Sequence, residues 1–275
     1  GTDRELKFSG STELDNGITV SVMQDTSDNL GYGDNKITFG NVMGMVDIYV
    51  GADGSPVDAI DDITPSAYEE ANGSGSGTLN DIGGLAGEMG IGIKGAVPIL
   101  GTVDFKYIPK VDGTENADNA NSGDAGNSVG SGESISIKTN LGDIPGIGEF
   151  LSGATLTTGY ETIEIAADAN TADSHDLTAA INYSIGNLAL GVQRKYSNDG
   201  ETSTAVDEVF YKDLAIGVSY AVNDQLSISY NRYESDRHNT STGKNPTQST
   251  SAINIGYTMG GMTIGFQEAS TDDAG

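Results

Sequence analysis

The 275-residue chain has no cysteine and no tryptophan, and only 13 lysines and arginines against 40 aspartates and glutamates. Each shortage excludes something. Without thiols there is no disulfide framework and no thiolate chemistry, which fits an envelope protein built without disulfides. A formal net charge of −27 leaves little to neutralise phosphates, so nucleic acid is not expected as a partner. The sequence holds no unbroken apolar run long enough for a membrane-spanning helix. That absence does not touch a β-barrel, whose strands need only about 9–11 alternating residues each. The opening Gly1-Thr2-Asp3-Arg4 is not a secretory leader, so the chain reads as mature or trimmed at its ends.

What is present is alternation. Over residues 214–222, Leu214, Ile216, Val218, Tyr220 and Val222 point one way, and Ala215, Gly217, Ser219 and Ala221 the other. Asn223-Asp224 turns the chain, and Leu226, Ile228 and Tyr230 resume the apolar face. A period of two is a strand with one apolar and one small polar face. About fourteen such stretches follow one another, joined in pairs by tight turns. Asp15-Asn16-Gly17, Gly186-Asn187 and Gly260-Gly261 mark short turns, and Asn-Gly suits the positive φ that such turns need. Between the pairs lie longer polar segments, and short and long connections alternate.

A soluble sandwich would need two apolar faces meeting in a dry core. Here the second face is Gly, Ala, Ser, Thr, Asn and Lys. A barrel with lipid outside and water inside satisfies both faces, and closure removes the sheet edges. The pattern therefore predicts an all-β fold, an antiparallel up-and-down transmembrane β-barrel formed by residues 1–275 as one domain. Short turns belong to the periplasmic side and long loops to the outside. Tyr183, Tyr220, Tyr230, Tyr257 and Phe266 lie on the outward face as candidates for an interfacial aromatic girdle.

Residues 51–87 break the rhythm. They carry Asp53, Asp58, Asp61, Asp62, Glu69 and Glu70, the prolines Pro56 and Pro65, and the run Gly73-Ser74-Gly75-Ser76-Gly77. A non-alternating loop of this length marks a functional element. It is expected to fold into the lumen as a constriction, with a short helix over 56–60 or 65–70. Lysine parity supplies the other half of the reading. With apolar residues facing lipid, Lys36, Lys94, Lys106 and Lys138 face the lumen, as do Lys7 and Lys195. Lumen-facing lysines and loop acids are expected to oppose each other across the water-filled gap, with a weak cation preference overall.

Other motifs are weaker. Gly90-Ile91-Gly92-Ile93-Lys94-Gly95 fits a dinucleotide fingerprint, but no helix follows and Pro98 arrives at once. His175 and His238 fall in segments read as polar loops and have no second histidine at ligand spacing. No nucleophile–base arrangement stands out, so an enzyme is not expected. No cofactor is required. Asp61-Asp62, and a loop with Asp112, Glu115, Asp118 and Asp124, offer clustered hard oxygens that suit Ca2+, without an EF-hand spacing. A calcium-binding extracellular adhesin is thus one alternative, and a solute-specific channel of the same fold another.

The segment Phe8-Ser9-Gly10-Ser11-Thr12-Glu13-Leu14-Asp15-Asn16-Gly17-Ile18-Thr19-Val20 resembles the first hairpin of alphaproteobacterial general porins. Ile37-Thr38-Phe39-Gly40 and Val50-Gly51-Ala52-Asp53-Gly54 resemble their approach to the pore-constricting loop. The resemblance implies a 16-stranded homotrimeric barrel in the outer membrane of a Gram-negative bacterium. Its surroundings would be the lipid bilayer and lipopolysaccharide, and its cargo small hydrophilic solutes. This chain shows about fourteen strands by its alternation. It lacks the family's opening strand and the usual terminal aromatic, since it ends Thr271-Asp272-Asp273-Ala274-Gly275.

Overall fold

A computed structural model describes residues 6–26, 32–71, 82–109, 129–146, 148–165, 173–198, 209–239 and 247–273. Fourteen strands are present: β1 Lys7–Glu13, β2 Thr19–Thr26, β3 Tyr32–Val42, β4 Val46–Ala52, β5 Met89–Val97, β6 Gly101–Ile108, β7 Val129–Asn140, β8 Ala154–Ile165, β9 Ser174–Ile185, β10 Leu188–Asn198, β11 Val209–Ala221, β12 Leu226–Asn239, β13 Thr247–Met259 and β14 Met262–Asp273. They form one sheet in chain order, each strand antiparallel to the next, and β1 and β14 are not paired with each other. Two 3₁₀ turns, Asp58–Ile60 and Leu141–Asp143, are the described helical segments of more than one residue.

The sheet is inverted relative to a water-soluble one. Ile181, Ile216, Ile253 and Phe266 are exposed, while Gln193, Asn231 and Asn254 on the opposite face are 0–1% exposed. An aqueous solvent would penalise the bare isoleucines; a hydrocarbon solvent favours them. The registers keep the faces pure: Val192 meets Ile216 and Ile181, and Gln193 meets Ala215 and Ala180. One slipped residue would turn every isoleucine inward. At the tight turn between β13 and β14, Gly260 and Gly261 take φ of +57° and +87°, which side chains resist.

The strands run further than the apolar alternation does. β9 begins at Ser174 and β12 continues to Asn239, so His175 and His238 belong to strands rather than to loops. The apolar pattern reports only the lipid band. Backbone pairing continues beyond it, where outward side chains are polar or aromatic. The expected helix over 56–60 is present as the single turn Asp58–Ile60, and none forms over 65–70.

An outward substitution such as Ile216→Arg should destabilise the protein in lipid vesicles by about 2–4 kcal/mol, since that face meets hydrocarbon. The inward Ser219→Arg, near the short-turn rim, should cost far less. Urea unfolding in vesicles compares the two, and equal losses would contradict the assignment of faces.

Candidate functional site

The loop after β4 is rooted by charge. Asp53 stands one residue beyond that strand and is almost fully buried. Lys36 of β3 donates to its Oδ2 at 2.7 Å. Lys106 of β6 donates to its carbonyl at 2.9 Å and to Oδ1 at 3.3 Å. Lys106 reaches Asp53 across β5 because Gly90 offers no side chain there. A Cβ on Gly90 would come within 3.0 Å of the lysine stem and 2.7 Å of the Tyr107 carbonyl. Tyr49 likewise lies over Gly92 and donates its hydroxyl to Asp104 at 2.7 Å. The Lys36 ammonium sits 4.2 Å from the Tyr49 ring centre.

From this root the loop runs along the inner wall towards β14. Ser55 donates to Glu161 at 2.6 Å, and the Val57 amide to Ser134 at 3.1 Å. Gln193 meets the next turn with its whole amide. Nε2 donates to the carbonyls of Ile60 and Asp61, and Oε1 accepts from the Ile63 amide. Asn182 donates to the Ile63 carbonyl, Asn231 to that of Pro65, and Ser229 accepts from the Ala67 amide. Gln267 on β14 donates to the carbonyls of Glu69 and Glu70. Ala71 packs against Ala215, Tyr233 and Ala252. The return limb shares the anchors: Leu85 donates its amide to Glu161 at 2.8 Å, and Gly83 to Asp176 at 3.0 Å. The Gly87 amide returns to the Asp53 carbonyl at 3.1 Å.

Glycines on the inward face let the loop come this close. A Cβ on Gly217 would lie 2.6 Å from the Pro65 carbonyl and 2.9 Å from the Asn231 amide nitrogen. Gly256 holds the corresponding place under the Ala67 carbonyl. The small inward face of the sequence is thus a track for a polypeptide as well as a wetted wall.

The acids divide into two groups. Asp53 is consumed at the root. At the far end, carboxylate oxygens of Asp62, Glu69 and Glu70 lie within 4.8 Å of one another. Ser66 turns the chain there by donating to the Glu69 carbonyl at 2.6 Å, which brings Glu69 and Glu70 back onto Asp62. Burial first, and then the charge of Asp62, push Glu70 up to about 7. Asp58 and Asp61 are half-buried, and each has an interaction partner. The converging carboxylates are thus Asp62 with Glu69 and Glu70, where the sequence suggested the consecutive pair Asp61–Asp62 for Ca2+. The acidic segment with Asp112, Glu115, Asp118 and Asp124 lies outside the described residues.

The four wall lysines also divide, against the expectation of a field across the gap. Lys36 and Lys106 grip Asp53 on their own side of the wall, since Asp53 directly follows β4 and meets Lys36 on the adjacent β3 and Lys106 reaching across β5 from β6. Lys94 pairs with Asp104 at 3.0 Å, below the loop. Lys138 is exposed two residues from the short-turn end of β7. Lys195 is 4% exposed, with its ammonium 4.7 Å from the Tyr233 ring centre. Sequence reasoning missed Glu161, Asp176, Gln193 and Asn231. Their signal was there: isolated amides and carboxylates at inward parity on an otherwise Gly/Ser/Thr face.

An inverted fourteen-stranded sheet with a loop laid along its polar face defines an outer-membrane β-barrel channel. A family model for Gram-negative porins matches residues 1–274, and the chain belongs to that family. Its place is therefore the outer membrane. Solved porins share the fold at low identity. The outer membrane protein OmpT of Vibrio cholerae superimposes with a TM-score of 0.69 at 9% identity, covering 98% of this chain and 79% of that one. An anion-selective porin from Comamonas acidovorans gives 0.68 at 12%, covering 99% and 79%. Salmonella typhi OmpF in complex with daunomycin gives 0.64 at 12%, covering 96% and 81%. No curated protein matches the sequence.

Asp53→Ala should strand the buried Lys106 ammonium and cost about 3–5 kcal/mol of folding stability. Lys106→Met in the same background should recover much of it. Gly217→Val should disturb the loop without altering strand content. Denaturation and circular dichroism read both, and full stability of Asp53→Ala would refute the rooting role.

Proposed function

We propose that this chain is a general diffusion porin of the alphaproteobacterial kind, passing small hydrophilic solutes and ions passively as a homotrimer. The reading is non-enzymatic: among the described residues, the loop and wall offer water-facing charge of the kind that sorts ions. One observation carries it. Residues 53–71 are bound along the inner wall by main-chain hydrogen bonds, with the Asp62, Glu69 and Glu70 carboxylates gathered at the far end. A segment so held narrows a water-filled barrel, and its uncompensated charge sets the local potential.

The preference should be for cations, and weak. Asp53 offsets one of the two positive charges of Lys36 and Lys106, and the three carboxylates gathered at the far end outnumber the one left over. This opposes the preference named for the Comamonas acidovorans neighbour. Planar-bilayer reversal potentials at low salt decide between them, because screening flattens the effect at about 1 M. A clear anion preference at low salt would overturn the reading. Ca2+ suits these hard oxygens and should reduce the cation preference when added.

Glu70 makes the preference depend on pH. A carboxyl held up to about 7 by burial and by Asp62 is neutral at pH 6 and charged at pH 8. Cation preference should therefore rise over that window. The sign for stability is opposite. Because the folded pKa is raised, ionising Glu70 disfavours the loop's bound state increasingly from about its unfolded value of 4.5 up to about 7. Glu70→Gln should abolish the step in selectivity between pH 6 and 8 while conductance persists. A step of unchanged size in that variant would assign the titration elsewhere.

A further inference from the structure

We propose that copies of this chain meet through the outward face of β10–β14, with Arg194 of one copy paired to Glu268 of the next inside the apolar band. The proposal rests on the homotrimer reading above and assigns its contact face.

Outward parity runs through even-numbered residues on both strands, from Leu188 to Arg194 on β10 and from Met262 through Ile264 and Phe266 to Glu268 on β14. Each charge lies six residues beyond the first residue of its strand, directly above a short turn. A rise of about 3.3 Å per residue and a tilt near 40° put both about 15 Å above the short-turn rim, in an apolar band about 25 Å tall. Ile91 on β5 and Tyr107 on β6 stand equally far from the short-turn ends of their strands, and both are exposed outward, as hydrocarbon favours. A charge at that depth on the lipid face destabilises a barrel unless something other than lipid covers it.

Within one copy the two charges have nothing to meet. Both are exposed. Arg194 stands between Ala179 and Leu214, and Glu268 beside Ile253. Among the described residues neither has an opposite charge at ion-pair distance. Arg232 of β12, at the same height, is already paired with Glu234, and Lys212 stands opposite Asp236. Arg194 and Glu268 are thus a cation and an anion of equal height on the two flanks of one face. A second copy brings the complementary charge to that height, whereas lipid headgroups lie above and below the band.

The spacing suits a ring. The charges are four strands apart along the wall. At about 4.8 Å between strands and the same tilt, that is about 25 Å, roughly a quarter of such a barrel's circumference. Opposite charges on two flanks make a head-to-tail contact, which forms a closed ring when the rotation between copies allows it. In a ring of three, cylinders touch along lines roughly a sixth of the circumference apart, so Arg194 and Glu268 flank those lines and face each other across every contact. Between the flanks, just above this height, the outward residues of β13 and β14 include Ser249, Ser251 and Ser270. Small polar side chains let two walls approach closely and offer hydrogen bonds where lipid offers none.

The test is native mass spectrometry of the detergent-folded full chain across a dilution series. Arg194→Glu sets two acids against each other at every contact, and Glu268→Arg two bases. Each should shift the trimer–monomer midpoint about tenfold or more towards monomer, as like charges across an interface do. Arg194→Glu combined with Glu268→Arg restores opposite charges and should return the trimer. Circular dichroism of all three should match the unaltered protein, which separates lost association from lost folding. The sequence has no cysteine, so Arg194→Cys combined with Glu268→Cys gives a second reading. Oxidation should link copies covalently, because within one copy the two positions are too far apart for a disulfide. A trimer that withstands both reversals and does not cross-link would overturn this contact face and leave the homotrimer reading standing. Dispersal by the single reversals without rescue in the double would overturn the pairing. An unaltered protein that stays monomeric would overturn both readings.

Discussion

Everything in this structure follows from one restriction: a peptide group facing hydrocarbon has no water to bond, so each N–H and C=O must find a partner in a neighbouring strand. That restriction explains why fourteen strands pair in unbroken chain order, with few register shifts. It also explains the inverted faces. Once the outer surface must be Ile, Val, Leu and aromatic, the alternation of Cβ directions leaves the other face free to be small and polar. The inner wall is therefore not a core in the usual sense. Its filling comes from another part of the same chain.

How that filling is held is a separate problem with a separate solution. A loop laid along the inner face of the sheet exposes a row of main-chain groups that no strand completes. The wall meets them one by one with side chains: Gln193 takes three, Gln267 two, and Asn182, Asn231, Ser134 and Ser229 one each. Glu161 accepts from both the outgoing and the return limb, tying residues thirty apart in sequence to one carboxylate. Polar anchors suit this site better than apolar ones. They remain satisfied by water if the loop lifts, so the loop can be fixed in place without the barrel needing a dry interior.

The fold was legible in the sequence because lipid enforces a strict period of two. The alternation from Leu214 to Val222 and the restart at Leu226 sit on β11, its short turn and β12 with the expected facing. The unusual character of residues 51–87 was legible for the same reason, as a failure of that period. The pairing between loop and wall was not. Parity says that Lys106 faces inward, but not that Gly90 on the intervening strand clears its way to Asp53. Composition likewise shows acids in the loop, without showing that a turn at Ser66 folds Glu69 and Glu70 onto Asp62. Such facts depend on the three-dimensional path of an irregular segment, for which the chain has no periodic signal. The strand ends were blurred too, since His175 and His238 lie above the apolar band where pairing persists and alternation fades.

The division of charge along the loop has a mechanical reason. A fully buried ammonium is tolerable only when its donors are met, and Lys106 is met by both a carboxylate and a carbonyl of the same residue. Attraction therefore belongs at the root, where two lysines close on one aspartate and the chain must not move. At the far end the opposite holds. Asp62, Glu69 and Glu70 repel one another and resist being brought together, so amide donors on the wall, Gln267 among them, have to hold the chain that bears them. Neutral anchors do this without cancelling the charge, which a lysine in the same place would do. A loop fixed by ion pairs at its root and by amides at its tip thus keeps its position and its field under independent control.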